Sequence, residues 1–368
     1  VIKRQFESND KEVSELAKTL SPKEIAEKVD VVTTATFGAM CSSGAFLNFG
    51  HANPPIRMEK IELNGIRVSG GLAAVDTYVG ATDCNPENPA YGGAHIIEDL
   101  VAGKEITLEA WGKGTDCYPR KHIKTRITKD TINEAILYNP RNAYQNYNVA
   151  TNSTDKIKYT YMGTLLPKLR NASYSTAGEL SPLLNDPECR TIGLGTRIFL
   201  CGTEGYVTWN GTQFHSTKEV NEYGIPTSNA RTIAVIGDLK NMSTDFLRGV
   251  YYEKYGVSLF VGIGIPIPIL DEDLARRVSI RNEQIETTVV DYGDGNKILG
   301  KTNYAALQSG EIEVNGHKIR TTPVASLAKA RQIADILKSW IQKGDFLLTE
   351  PVRPMPTGTK LKNLEIVD

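Results

Sequence analysis

The sequence lacks a surplus of either charge: 42 Lys and Arg stand against 43 Asp and Glu in 368 residues, for a formal net charge of −1. That balance offers neither the basic surface that nucleic acid requires nor an attraction to anionic membranes. Long apolar runs are missing too. Residues 1–7 show no signal-peptide stretch, and no segment approaches the roughly 18 apolar residues needed to span a bilayer, so neither export nor membrane insertion is expected. Cysteine is scarce, with only Cys41, Cys84, Cys117, Cys189 and Cys201. Five are too few for a disulfide scaffold and leave at least one thiol unpaired, which makes a reducing cytoplasm the expected compartment. No Cys-x-x-Cys, Cys-x-x-His or His-x-x-x-His occurs, which argues against a zinc site or an iron–sulfur cluster within the chain, and no metal is expected. Gly193-Leu194-Gly195 and Gly262-Ile263-Gly264 lack the third glycine of a dinucleotide fingerprint, and neither a Walker ending nor a Gly-x-Ser-x-Gly elbow is present. Phosphoryl transfer and serine-hydrolase chemistry lose their usual supports.

What is there describes a strand-rich globular protein, 40% hydrophobic and long enough for two lobes or one large domain with an appendage. Asp10 and Ser21 each precede helical patterning, and Glu24 completes a capping box with Ser21. The β-branched run Asp30–Thr36 predicts a buried strand feeding the Cys41 loop. Asn64-Gly65 and, in a similar nonamer, Asn315-Gly316 each signal a hairpin. A short segment from Ala94 carrying His95, Glu98 and Asp99 gives way to a strand, Glu105–Ala110, that leads to Cys117. Residues 139–178, rich in Asn, Tyr, Ser and Thr, read as a long irregular connection or lid.

Further strands are expected over Thr196–Gly202, about a hairpin at Asn210-Gly211, over Arg231–Asp238 and over Val257–Leu270. The last is interrupted by Gly262, Gly264, Pro266 and Pro268, which suits a buried strand leading into a shaped loop. A helix from about Val324 to Lys343, with Pro323 at its start, precedes a strand at Phe346–Thr349. The expected fold is mixed α/β with an α+β tendency, strand-rich with flanking helices and without a named superfold. Its expected division is an N-terminal lobe, 1–150, with the Cys41 and Cys117 loops, a connection or lid, 151–185, and a strand-rich C-terminal lobe, 186–368.

Cys117 stands out because a thiol sits among cations in a segment built like a turn, Gly112-Lys113-Gly114-Thr115-Asp116-Cys117-Tyr118-Pro119-Arg120-Lys121-His122. Lys113, Arg120, Lys121 and His122 favour a thiolate, the reactive form, and the glycines and Pro119 favour an exposed loop. An isolated cysteine is more commonly a small buried hydrophobe; the loop setting argues for a nucleophile or sulfur carrier. Cys41, in the glycine-punctuated run Phe37–Phe46, is a second loop thiol, and the two suit an attacker and a resolver. An arginine fork suits a carboxylate, so Arg120, with Lys113 and the adjacent Asp116, is a candidate for substrate binding. Asp76, Tyr78 and His95 lie beside glycine-rich stretches where a backbone can approach an amino acid closely. For these three a turn or cap, a core tyrosine and a buried histidine stand as equal readings. His51 is either an acid–base group or a loop residue.

The Met40-Cys41-Ser42-Ser43-Gly44 loop, Gly71-Leu72-Ala73-Ala74-Val75-Asp76, Tyr91-Gly92-Gly93-Ala94-His95, Gly114-Thr115-Asp116-Cys117-Tyr118-Pro119-Arg120 and the closing Leu348-Thr349-Glu350-Pro351-Val352 together resemble the homocysteine-biosynthesis family of methanogens and anaerobic bacteria. The resemblance runs from about residue 30 to 355. It implies an L-aspartate semialdehyde sulfurtransferase activity that makes L-homocysteine from the aldehyde, a sulfide-derived sulfur and two electrons, with the sulfur carried as a persulfide on Cys117. It further implies no cofactor within this chain, and electrons from a separate ferredoxin-like iron–sulfur protein or another reductant. Cys41 is then suited to release product by thiol exchange. A homo-oligomer is expected. A sulfur-carrier or scaffold protein, and a thiol redox-sensing regulator, stand as the alternatives.

Overall fold

Seven strands position the site: Val31–Ala39 (β1), Gly44–Asn48 (β2), Asp76–Gly80 (β3), Ile106–Trp111 (β4), His122–Ile127 (β5), Asn171–Tyr174 (β6) and Gly256–Pro268 (β7). β1 is buried along nearly its whole length, as befits a strand covered on both faces. In the computed structural model, which describes residues 7–212, 219–358, 361–362 and 364–367, β1 pairs antiparallel with β7 from Val31 opposite Pro268 to Ala39 opposite Phe260. The two lie second and third from one edge of a ten-stranded sheet. From one edge the order is 7–9, β1, β7, 197–200, 203–210, 233–238, 134–142, β2 and β3, with 247–252 also pairing with β7.

A six-stranded mixed sheet follows the order 297–303, 286–291, 149–151, β6, 317–323 and 311–314; it has its own apolar cluster around Tyr304, Ile285 and Ile319. A four-stranded antiparallel sheet, β5, β4, 60–63 and 66–68, buries Ile61, Leu63, Ile106 and Leu108 in the main core.

Among the helices, Asp10–Leu16 (α1) and Pro22–Lys28 (α2) open the chain, and α2 has the expected box, Ser21 and Glu24 bonding each other's backbone N–H. Gly93–Val101 (α3) is a full amphipathic helix where only a short segment was expected. Leu327–Lys343 (α4) lays Ala330, Ile333, Ala334, Leu337 and Ile341 on the central sheet. Gly262 and Gly264 allow that approach, since a Cβ on them would lie 2.8 Å from Ile333 Cδ1 and 2.9 Å from Ile333 Cγ2. These glycines therefore sit inside β7, which runs unbroken to Pro268 rather than giving way to a loop.

Other expectations need correction. Strands 158–160, 163–165 and β6 occupy much of the supposed connection, because its Asn side chains bond backbone and stabilise turns between short strands: Asn152 and Asn171 both donate to nearby carbonyls. The central sheet takes strands from both 1–150 and 186–368, so it crosses the boundary drawn between lobes. Pro323 ends the strand 317–323, and the cap of α4 is Ser326, whose hydroxyl accepts from Lys329 N. Phe346–Thr349 forms no strand. The tight hairpin of the middle region turns at Cys201-Gly202, both with positive φ. Strand 203–210 pairs with 233–238 instead of turning back at Asn210-Gly211, and the return strand expected there falls on 213–218, outside the described residues.

Candidate functional site

β4 and β5 are paired up to Trp111 opposite His122, and residues 112–121 form the loop between them. Gly112 N donates to Lys121 O at 2.9 Å, and Thr115 and Tyr118 exchange backbone bonds of 2.9 and 3.1 Å. Gly114 has φ +75°, a region that favours glycine. Cys117 is thereby held in a tight turn with its thiol exposed, 3.5 Å from the Thr115 hydroxyl. Arg120 anchors the loop, donating from Nε to Pro54 O and from Nη2 to Asn53 O, both at 3.0 Å, while its backbone N–H reaches Pro55 O at 3.2 Å. The His51 ring stacks on Tyr118 with centroids 6.2 Å apart.

The expected cationic surround is thus differently employed. Arg120 uses its fork on backbone carbonyls, Lys113 lies 3.6 Å from Glu59, and His122 bonds Glu109 at 3.0 Å. Asp116 is exposed in the turn. Asp76, at the start of β3, accepts from Asn48 Nδ2 at 2.8 Å. It belongs to the same end of the β2–β3 pair as the anchoring segment, because Phe49 N donates to Val75 O. Tyr78 packs on Phe46 with centroids 4.8 Å apart. Burial first, then Asp83 and Tyr138, push its phenol up. His95 accepts from Gly92 N at its Nδ1 and stacks on Tyr91. Burial lowers its pKa against the opposing pull of Glu98 and Asp99. Among the described residues, no hydrogen bond, ion pair or ring contact joins Tyr78 or His95 to the Cys117 loop.

Cys41 lies at the other end of β2. Met40 N donates to Leu259 O at 2.7 Å, which carries the β1–β7 register one pair past Ala39 and Phe260, and Cys41 lines the same cavity as Ser258. The half-buried thiol opens on a cavity of about 40 Å³ lined by Gly38, Met40, Tyr144, Tyr147, Tyr161, Met162, Ser175, Ser258 and Val324. Here the two large sheets meet: Gly38 bridges to Ala325, Ser326 N donates to Phe37 O, and Val324 N donates to Tyr174 O. The Tyr147 and Tyr161 hydroxyls are 2.8 Å apart, and Tyr161 continues to Tyr292 at 2.6 Å. Ser175, Ser258 and the tyrosines were missed in the sequence. The one signal was the Tyr, Ser and Asn content of 139–178, which reads equally well as a loop.

Cys41 and Cys117 are both free thiols, with no disulfide between them. Cys189 and Cys201 are buried, and burial pushes both thiols up to about 12, so they stay protonated. Cys84 is a further exposed thiol. Among the described residues no group of three His, Cys, Asp or Glu side chains is placed to hold a metal, and no helix is long and apolar enough to cross a membrane.

The mixed, strand-rich α/β scaffold thus presents one exposed thiol in a hydrogen-bonded turn and a second, half-buried thiol on a small hydroxyl-lined cavity. The chain belongs to the homocysteine biosynthesis family: the family described as homocysteine biosynthesis enzyme, sulfur-incorporation, matches residues 8–348. It is 49% identical over 344 residues to the L-aspartate semialdehyde sulfurtransferase of Methanosarcina acetivorans, covering 92% of this chain and 67% of that protein. It is 50% identical over 349 residues to the protein of the same name from Methanocaldococcus jannaschii, covering 90% and 66%. An uncharacterized protein of Methanothermobacter thermautotrophicus is 26% identical over 317 residues, covering 83% and 69%. The chain thus spans about two thirds of the length of these curated relatives. No solved structure matches it.

Proposed function

We propose that the chain acts as an L-aspartate semialdehyde sulfurtransferase, with Cys117 carrying the sulfur as a persulfide. Loading sulfide on the Cys117 thiol as a persulfide gives two electrons and two protons to the redox partner or another two-electron oxidant. The persulfide then adds to the aldehyde, and four electrons and four protons release L-homocysteine, water and the free Cys117 thiol, a net uptake of two electrons. The terminal persulfide sulfur is the nucleophile toward the electrophilic aldehyde carbon. The electrons come from a partner, a ferredoxin-like iron–sulfur protein or another reductant. The observation that carries the reading is an exposed Cys117 held by Arg120 and the Thr115–Tyr118 turn, in a chain half identical to two proteins of that name. Arg120 retains Nη1 for a substrate carboxylate while its other nitrogens anchor the loop.

The test is to load the purified chain with sulfide and a mild two-electron oxidant, to map added sulfur by peptide mass spectrometry, and then to add aspartate semialdehyde and a reductant under anaerobic conditions. Homocysteine formation with one sulfur added at Cys117 supports the proposal. Sulfur on Cys117 without any binding of the aldehyde would make the chain a sulfur carrier instead.

A further inference from the structure

Ser258 is 2% exposed, yet among the described residues its hydroxyl has no hydrogen-bond partner, and the buried hydroxyl of Ser175 has none either. Unpaired buried hydroxyls are rare because they are costly. Both of these line a small cavity on which Cys41 opens, which leaves two hydroxyls there for a guest. The cavity, about 40 Å³, holds one or two water-sized groups and cannot take a four-carbon amino-acid aldehyde. Its remaining lining is soft and polarisable: the thioether of Met162, tyrosine rings and the Cys41 sulfur. Burial and then the charge of a Cys41 thiolate push the Tyr252 phenol up to about 12, and burial raises Tyr144 and Tyr147 as well. The phenols about the thiol therefore stay protonated.

A guest of one heavy atom that accepts hydrogen bonds and suits a polarisable wall is the hydrosulfide ion. We infer that the Cys41 pocket is the hydrosulfide-binding subsite of the chain, with the Ser258 and Ser175 hydroxyls donating to the ion beside the thiol. The inference rests on the sulfurtransferase reading for its choice of ion, and it gives Ser258 and Ser175 positioning roles. Sulfur would enter at the cavity between the two large sheets, apart from the exposed Cys117 loop.

The experiment is an anaerobic titration of the full chain with sodium sulfide, followed by the near-ultraviolet difference spectrum of the tyrosines, at a pH where hydrosulfide is the main form. The expected result is a saturable signal whose apparent Kd rises roughly tenfold or more in Ser258→Ala and again on adding Ser175→Ala, as for loss of a hydrogen bond to an ion. Both variants keep or raise the Tm, because each removes an unpaired hydroxyl. In turnover, the KM for sulfide rises by a larger factor than kcat falls, and the KM for the aldehyde holds. A signal unchanged in Ser258→Ala, or no saturable signal in the native chain, overturns the inference and leaves a pocket for buried water. A native chain that makes no homocysteine but binds sulfide through Ser258 would sink the sulfurtransferase reading while supporting the subsite.

Discussion

The Arg120 guanidinium donates to the Pro54 carbonyl at 3.0 Å and, from its other arm, to Asn53. The loop that presents Cys117 is therefore fastened to the segment following β2. Removing the fork should free the loop without unfolding the protein. Arg120→Ala is expected to slow sulfur loading on Cys117 by about tenfold, the scale of losing hydrogen bonds to a charged group. Arg120→Lys should recover little, since an ammonium cannot span two carbonyls in a fixed plane. Pulse labelling with sulfide and a two-electron oxidant, followed by peptide mass spectrometry, checks both. Native loading rates in Arg120→Ala would show that the anchor is irrelevant to the thiol.

Cys117 and Cys84 are both exposed, but only Cys117 sits in a turn closed by reciprocal backbone bonds. Cys117→Ser is expected to abolish homocysteine formation with an unchanged circular dichroism spectrum, whereas Cys84→Ser keeps the activity. An active Cys117→Ser enzyme would remove this residue from the mechanism.

Gly264 lies under α4, where a Cβ would stand 2.9 Å from Ile333 Cγ2 and 3.2 Å from Phe199 Cβ. Gly264→Ala should destabilise the fold by about 1–3 kcal/mol, the usual cost of overpacking. Adding Ile333→Val removes atoms from the crowded partner and should restore part of the loss, a coupling that thermal unfolding of the double mutant measures. Independent, additive effects would mean that the helix shifts to make room.

His95 is held below the ordinary histidine value of 6.5, first by burial. The unfolded chain then binds the proton more readily than the folded one. The stability this group contributes is present above 6.5 and is lost as pH falls through the lower folded value. The ring resonances of His95 should titrate below 6.5, and His95→Gln should flatten the fall in Tm on acidification. Titration at or above 6.5 would contradict the burial argument.

Local chemistry made several of these features legible. Ser21 and Glu24 form their box within four residues, and Asn64-Gly65 and Asn315-Gly316 take the positive φ values of a hairpin turn. Such features depend on side chains and backbone a few positions apart, so spacing alone reveals them. The glycines and proline about Cys117 likewise announced an exposed turn. In β7 the same residue type misled: Gly262 and Gly264 are small to admit Ile333, a reason that exists only once α4 is in place.

The sequence by itself determined a strand-rich chain, the position of its turns and caps, and which thiol stands on a loop. Tertiary structure alone decided what those thiols meet. Whether Arg120 reaches Pro54, whether Cys41 shares a cavity with Ser258, and whether residues 139–178 hang as a lid or wall a cavity all depend on strand order and register. Those follow from burying apolar faces across the whole chain at once, with one residue of slip enough to turn every side chain to the other face. No local pattern around Cys41 could bring Ser258 to the same cavity; the pairing of β1 with β7 does.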